Sequence, residues 1–167
     1  MTSTAAVKGK KKQSDVARYQ MYIDGAFVDA ASGRTFDVYD PSTEGVIATA
    51  PAGGPDDVDR AVKAAHRAFY EGGWRSVSAQ ERGRILFRLA ERIRARRDEL
   101  AELETVNSGK PIVESEYDID DAATCYEYYA GLATKINGEV LPVPADAVAF
   151  AMREPVGVAG QIIPWNY

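Results

Sequence analysis

A single cysteine, Cys125, and a single histidine, His66, occur in 167 residues. One thiol allows no intramolecular disulfide and no cysteine-based zinc site. One imidazole cannot make a histidine metal site, and no Ser/His/Asp set can be drawn with the serines near it in sequence. No run approaches the roughly 18 apolar residues of a membrane span, so no membrane partner is expected. The first 20 residues hold Lys8, Lys10, Lys11 and Lys12 with no apolar stretch behind them, which does not read as a secretory signal. The cytoplasm is the compartment expected from this cysteine usage. No internal repeat is found, which excludes a solenoid.

What is present is a globular composition, 46% hydrophobic and 27% charged. Residues 1–18 carry five basic groups against Asp15 and read as a disordered, solubilising tail. The remainder carries 15 basic and 24 acidic groups, a net charge of −9. A nucleic-acid reader normally shows a basic face, so no nucleic-acid partner is expected.

Local signals place the elements. Met21 to Val28 reads as two short strands about Asp24-Gly25, the strongest short hairpin signal. Thr35 to Tyr39 and Gly45 to Thr49 read as two more, stopped by Asp40-Pro41 and Pro51. The chain then turns helical. Pro55 with Asp56, Asp57 and Asp59 suits a helix N-terminus. Val58, Ala61, Val62, Ala65 and Phe69 follow at helical period. Ser78 and Glu81 have capping-box spacing for a second helix with the apolar face Ile85, Leu86, Leu89 and Ile93. A third uses Leu100, Leu103 and Val106. A fourth runs from Pro111 to about Ile136. Val140 to Val143 and Ala147 to Met152 read as a strand pair. Val156 to Ile163 is a nearly continuous apolar run, as in strands buried on both faces of a parallel sheet. With no neighbouring strand after Tyr167, the chain reads as cut within an α/β domain.

Few side chains suggest chemistry by themselves. Cys125 falls in line with Ala122, Tyr129, Leu132 and Ile136, so a buried structural thiol is expected. His66 is read as a surface residue. Glu114, Glu116, Asp118, Asp120 and Asp121 are read as a solvated acidic face, and Arg84, Arg88, Arg92 and Arg96 as a solvated basic one. Gly157-Val-Ala-Gly160 lacks the third glycine of a dinucleotide fingerprint. Asn166 is the exception. An asparagine just past the end of a buried strand stands where α/β enzymes place working groups. Its amide can donate to an oxyanion, and a loop asparagine closing an Asx turn is the competing reading.

The ordered set of motifs resembles the N-terminal third of the NAD(P)-dependent aldehyde dehydrogenases, over residues 19–167. The set runs Tyr22-Ile23-Asp24-Gly25, Thr35-Phe36 and Asp40-Pro41-Ser42-Thr43. It continues through Asp57-Val58-Asp59-Arg60-Ala61-Val62, Glu81-Arg82, Ser108-Gly109-Lys110-Pro111 and Tyr128-Tyr129-Ala130-Gly131. It closes on Arg153-Glu154-Pro155-Val156-Gly157 and Pro164-Trp165-Asn166-Tyr167. The resemblance implies an incomplete α/β fold: a β-rich arm, a helical layer, oligomerisation strands at 139–153 and the first strand of a dinucleotide-binding sheet. It implies oxidation of an aldehyde to an acid with NAD or NADP, through a cysteine thiohemiacetal, in a homo-oligomer. Asn166 would donate to the oxyanion. Ile163, Pro164, Trp165 and Asn166 would line the cofactor cleft, and Tyr167 the aldehyde tunnel. Val38 and Asn107 match positions near a monovalent cation. The family's cysteine nucleophile and glutamate base match positions beyond residue 167. The implied expectation is a chain inactive alone; a product that only associates with intact subunits is the competing one.

Overall fold

The structure, a computed structural model, describes residues 16–164 and 166. It opens with short strands. Strand β1 (Ala17–Arg18) lies parallel to β5 (Gly45–Pro51), which pairs antiparallel with β4 (Thr35–Asp40) in the order β1-β5-β4. Residues 17 and 18 therefore belong to a sheet, and the expected tail at 1–18 overreaches by these two; residues 1–15 lie outside the described region. Their pairing with Ala48 and Thr49 gives their backbone a ladder that composition does not announce.

Strands β2 (Met21–Ile23) and β3 (Ala26–Val28) form the expected hairpin. Asp24 and Gly25 take φ of 54° and 81°, the left-handed pair a two-residue turn needs to match strand twist. The β4–β5 turn is held by Asp40, whose carboxylate accepts from Ser42 N–H at 2.7 Å and Thr43 Oγ1 at 2.9 Å.

Four helices follow: α1 (Pro55–Tyr70), α2 (Ala79–Ala95), α3 (Arg97–Ser108) and α4 (Ile112–Leu132). The capping signals act in part: one bond of the expected α2 box forms, while the Glu81 carboxylate turns to Arg84 and Arg88. Ser78 Oγ accepts from Glu81 N–H at 3.1 Å. Asp57 in the first turn of α1 accepts from Gly54 N–H at 2.9 Å, and reaches across to Ala31 N–H at 3.0 Å. With Arg60 also bonded to it, this 3% exposed carboxylate ties the β arm to the helical layer.

The core is built from small residues. Every buried hydrophobic side chain among the described residues is an alanine: Ala30, Ala48, Ala64, Ala90, Ala101, Ala123 and Ala130. On α2, Gly83 and Ala90 are buried seven residues apart; on α4, Ala123 and Ala130 match that spacing. Small side chains let these helix backbones approach closely. The expected face Ile85, Leu86, Leu89 and Ile93 flanks this seam half-buried, with Leu89 37% exposed. Arg94 and Arg97 reach across to α4, bonding Glu127 at 3.0 Å and Asp120 at 3.0 Å.

Helix α4 stops at Leu132, short of the expected Ile136, in a turn closed by Lys135 N–H on Leu132 C=O at 2.8 Å. Strands β6 (Glu139–Leu141) and β7 (Ala149–Ala151) form the expected antiparallel pair. The apolar run Val156–Ile163 is not a strand here. A strand needs neighbours to take its N–H and C=O groups, and no described strand pairs with it. Among the described residues no helix is long and apolar enough to cross a membrane.

Candidate functional site at the α3–α4 corner

The sequence around residue 109 forces a tight corner. Helix α3 ends at Gly109, whose φ of 78° is left-handed, and its N–H bonds Thr105 C=O at 2.9 Å. A Cβ there would lie 2.9 Å from Pro41 Cγ, so glycine also permits the approach of the β4 end. Ser108 Oγ donates to Glu104 C=O at 2.7 Å. Pro111 then opens α4, and its carbonyl accepts from Glu114 and Ser115. Inside the corner, Thr105 Oγ1 and Ser115 Oγ share a hydrogen bond of 2.9 Å.

Lys110 turns inward from this corner, its side chain 15% exposed. Its ammonium pairs with Asp118 and lies 3.8 Å from Glu104. These groups border an open cavity of about 570 Å³, with Asn107, Asp121 and Cys125 among its other walls. The chain beyond β7 reaches this cavity. It passes the end of α1 at Gly157, where a Cβ would lie 3.6 Å from Phe69 Cε1, and Pro164 lines the cavity.

The structure thus brings Asn107 and Pro164 to one cavity, with Asn166 two residues further on and exposed. Ile163 is 69% exposed. Val38 sits half-buried in β4 and is not part of that wall. Trp165 and Tyr167 lie outside the described residues. No group of three or more His, Cys, Asp or Glu able to hold a metal occurs among the described residues.

Cys125 is exposed, against the expectation of a buried thiol. The reason is helical phase. The face of α4 turned to α2 and α3 carries Ser115, Ala123 and Ala130, and Cys125 lies two residues, about 200°, round from Ala123. The acidic residues of α4 also differ from a solvated face: Glu116 and Asp120 are tied to Arg97, and Asp118 to Lys110. Arg84 and Arg88 share Glu81, as an exposed basic face would. His66 is exposed and stacks on Tyr70 at 4.3 Å between ring centroids.

Two charged groups that hold the fold together escape sequence reasoning. Lys110 lies within a quoted motif, yet its partner Asp118 sits two turns along the next helix, visible only after the corner is built. Asp57 reads as one of several helix-start acids. In the fold its carboxyl is held below the ordinary 3.8, first by Gly54 N–H, then by Arg60 and Ala31 N–H.

The chain is similar to known proteins along most of its length. The family model described as aldehyde dehydrogenase matches residues 27–167. The chain is 46% identical over 167 residues to the mitochondrial aldehyde dehydrogenase of Equus caballus, covering 99% of this chain and 33% of that protein. It is 45% identical over 149 residues to a betaine aldehyde dehydrogenase of Bacillus subtilis, covering 88% and 30%. Among solved structures, the aldehyde dehydrogenase of Bacillus cereus (E194S mutant) superposes with a TM-score of 0.85 at 44% identity, covering 89% of this chain and 30% of that one. PnpE in complex with nicotinamide adenine dinucleotide gives 0.78 at 45%, covering 83% and 28%. The chain spans about a third of the length of the relatives it matches.

Proposed function

Because the chain belongs to the aldehyde dehydrogenase family, we propose that it forms the N-terminal third of an enzyme that oxidises aldehydes to carboxylic acids with NAD or NADP. The observation that carries this reading is the unbroken family match through the Pro164-Trp165-Asn166-Tyr167 stretch. Asn166 is its chemical contribution. The amide N–H₂ donates to the oxygen that gains charge when the family's cysteine attacks the aldehyde, a donor worth about 2.7–4 kcal/mol in the transition state. Its exposure leaves that amide free to meet a substrate.

The residues present fit part of a dinucleotide. Ile163 and Pro164 offer uncovered apolar surface against which a flat ring can pack. No residue from Val156 to Pro164 is charged, so the side chains of this strip offer a dinucleotide apolar contact and no ion pair. When bound, the cofactor accepts the hydride. Val38 and Asn107 belong to the same proposal as backbone neighbours of a monovalent cation, as do a cytoplasmic location and assembly through β6 and β7.

A second reading concerns the substrate. The cavity beside Pro164 is walled by Glu104, Asp118 and Asp121 against one lysine, a net negative lining. One relative is a betaine aldehyde dehydrogenase. Together with the Tyr167 ring, which attracts a cation by roughly 0.5–2 kcal/mol, this favours ammonium-bearing aldehydes. The test is a chain of full family length assayed with a trimethylammonium aldehyde and a neutral aldehyde of the same shape. Oxidation of neither sinks the proposal. Oxidation of both, with equal losses of kcat/KM in Tyr167→Leu, leaves aldehyde oxidation standing and removes the cation reading.

A further inference from the structure

At the α3–α4 corner one cation is shared by carboxylates from both helices. Lys110 stands between Gly109, left-handed and in close approach to Pro41, and Pro111, which opens α4. Its ammonium pairs with Asp118 on α4 and lies 3.8 Å from Glu104 on α3. The Lys110 side chain is 15% exposed and that of Asp118 26%, so the pair has given up most of its water. All three residues lie within one helix–corner–helix unit, 97–132.

Stability alone does not call for charge at such a place. Taking both ions out of water costs about as much as their attraction returns, and apolar side chains of similar volume often serve as well. The location of the pair indicates another use. Lys110 and Asp118 wall the same cavity as Asn107 and Pro164, and Asn166 follows two residues on. The other clasp between these helices, Arg97 on Glu116 and Asp120, starts from the far end of α3 and borders no part of this cavity.

We propose that Lys110 is a positioning residue: through Asp118 and Glu104 it fixes the corner wall against which the segment ending at Pro164 and Asn166 is placed. An ammonium that must meet one carboxylate from each helix is served by one arrangement of α3 and α4, whereas apolar contacts tolerate sliding. The placement is a property of the 167-residue chain. Its consequence for catalysis rests on the proposed function, because a displaced working group can cost up to about 10²-fold in rate.

Nitroxide labels on Tyr128→Cys and Ile163→Cys, in a Cys125→Ser background, read the distance from α4 to the segment in the 167-residue chain. Both positions are exposed, at 66% and 69%, and helical circular dichroism accompanies every variant. The parent should give one narrow distance. The uncharged set Lys110→Met/Asp118→Leu/Glu104→Gln should broaden it at least twofold with helix retained; Lys110→Gln serves where that set loses helix. Lys110→Arg, which can still meet both carboxylates, should keep the distance narrow. Arg97→Met should lower Tm and leave the distance unchanged. In a chain of full family length, the uncharged set should lower kcat at least tenfold with aldehyde KM and NAD affinity within threefold. An unchanged distance in the uncharged set overturns the inference, as do a parent distance that is already broad, equal broadening by Arg97→Met, or an active enzyme whose uncharged set keeps its kcat. A full-length parent that oxidises no aldehyde overturns the proposed function instead, and the distances still decide this inference.

Discussion

Replacing Gly83 by alanine sets two effects of opposite sign against each other. In a helix interior the change from glycine favours folding by up to about 1 kcal/mol, because alanine loses less backbone entropy. At Gly83, however, a Cβ would stand 2.8 Å from the Ala130 carbonyl oxygen, below any ordinary contact. The obstacle is backbone, not the end of a flexible side chain, so α2 and α4 must separate along their seam. Overpacking of this kind costs about 1–3 kcal/mol. The net expectation is destabilisation by about 0–2 kcal/mol, a fall in Tm of up to roughly 8 °C for a chain of this size. Gly131 on α4 supplies the control. It is helical, and an added Cβ meets nothing within 4 Å. Gly131→Ala should raise Tm by about 1–4 °C. Melts followed at 222 nm, at one protein concentration, read both variants. A rise in Tm for Gly83→Ala would refute the close-packed seam and with it the account of the core.

Asp57→Asn should lower Tm at pH 7 and flatten its dependence on acid. The folded carboxyl lies below 3.8, so its stabilisation is complete above about pH 5 and is lost as pH falls through the folded value; an unchanged slope of Tm between pH 5 and 3 would count against that role. Gly109→Ala places a side chain in a left-handed residue and against Pro41, and should cost about 1–2 kcal/mol in a denaturant titration. The purified 167-residue chain should oxidise no aldehyde with NAD, and Cys125→Ser should change nothing. Turnover abolished by that substitution would make Cys125 a nucleophile after all.

Much of the architecture is legible where a residue type has one physical use. Asp24-Gly25 demands a two-residue hairpin, Ser78 with Glu81 starts α2, and Ser108-Gly109-Lys110-Pro111 is a helix stop followed by a helix start. What escapes is packing through small side chains. Hydropathy ranks Ile85 and Leu89 above Gly83 and Ala90, yet the seam is made by the latter, because backbone proximity is decided by what is missing from a side chain. The same bias misjudges Cys125, which shares a stripe with apolar residues that themselves face outward, such as Tyr129 at 56% exposure. Val156–Ile163 shows the other limit. Its composition states a preference for a sheet, but a ladder needs a second strand, and a strand's own residues cannot say where that comes from. At the site, Asn166 is proposed from the resemblance and from its place after an apolar run, whereas the Lys110–Asp118 pair exists only once two helices fold back on each other.

The most direct measurement of the central claim is steady-state kinetics of Asn166→Ala in a chain of full family length, with NAD binding measured separately. The amide is assigned to an oxyanion that exists only after attack on the aldehyde. The account therefore predicts a fall in kcat of roughly 10²–10³ with NAD affinity nearly unchanged. Retained kcat with weakened NAD binding would contradict it, leaving Asn166 a cofactor contact and nothing more.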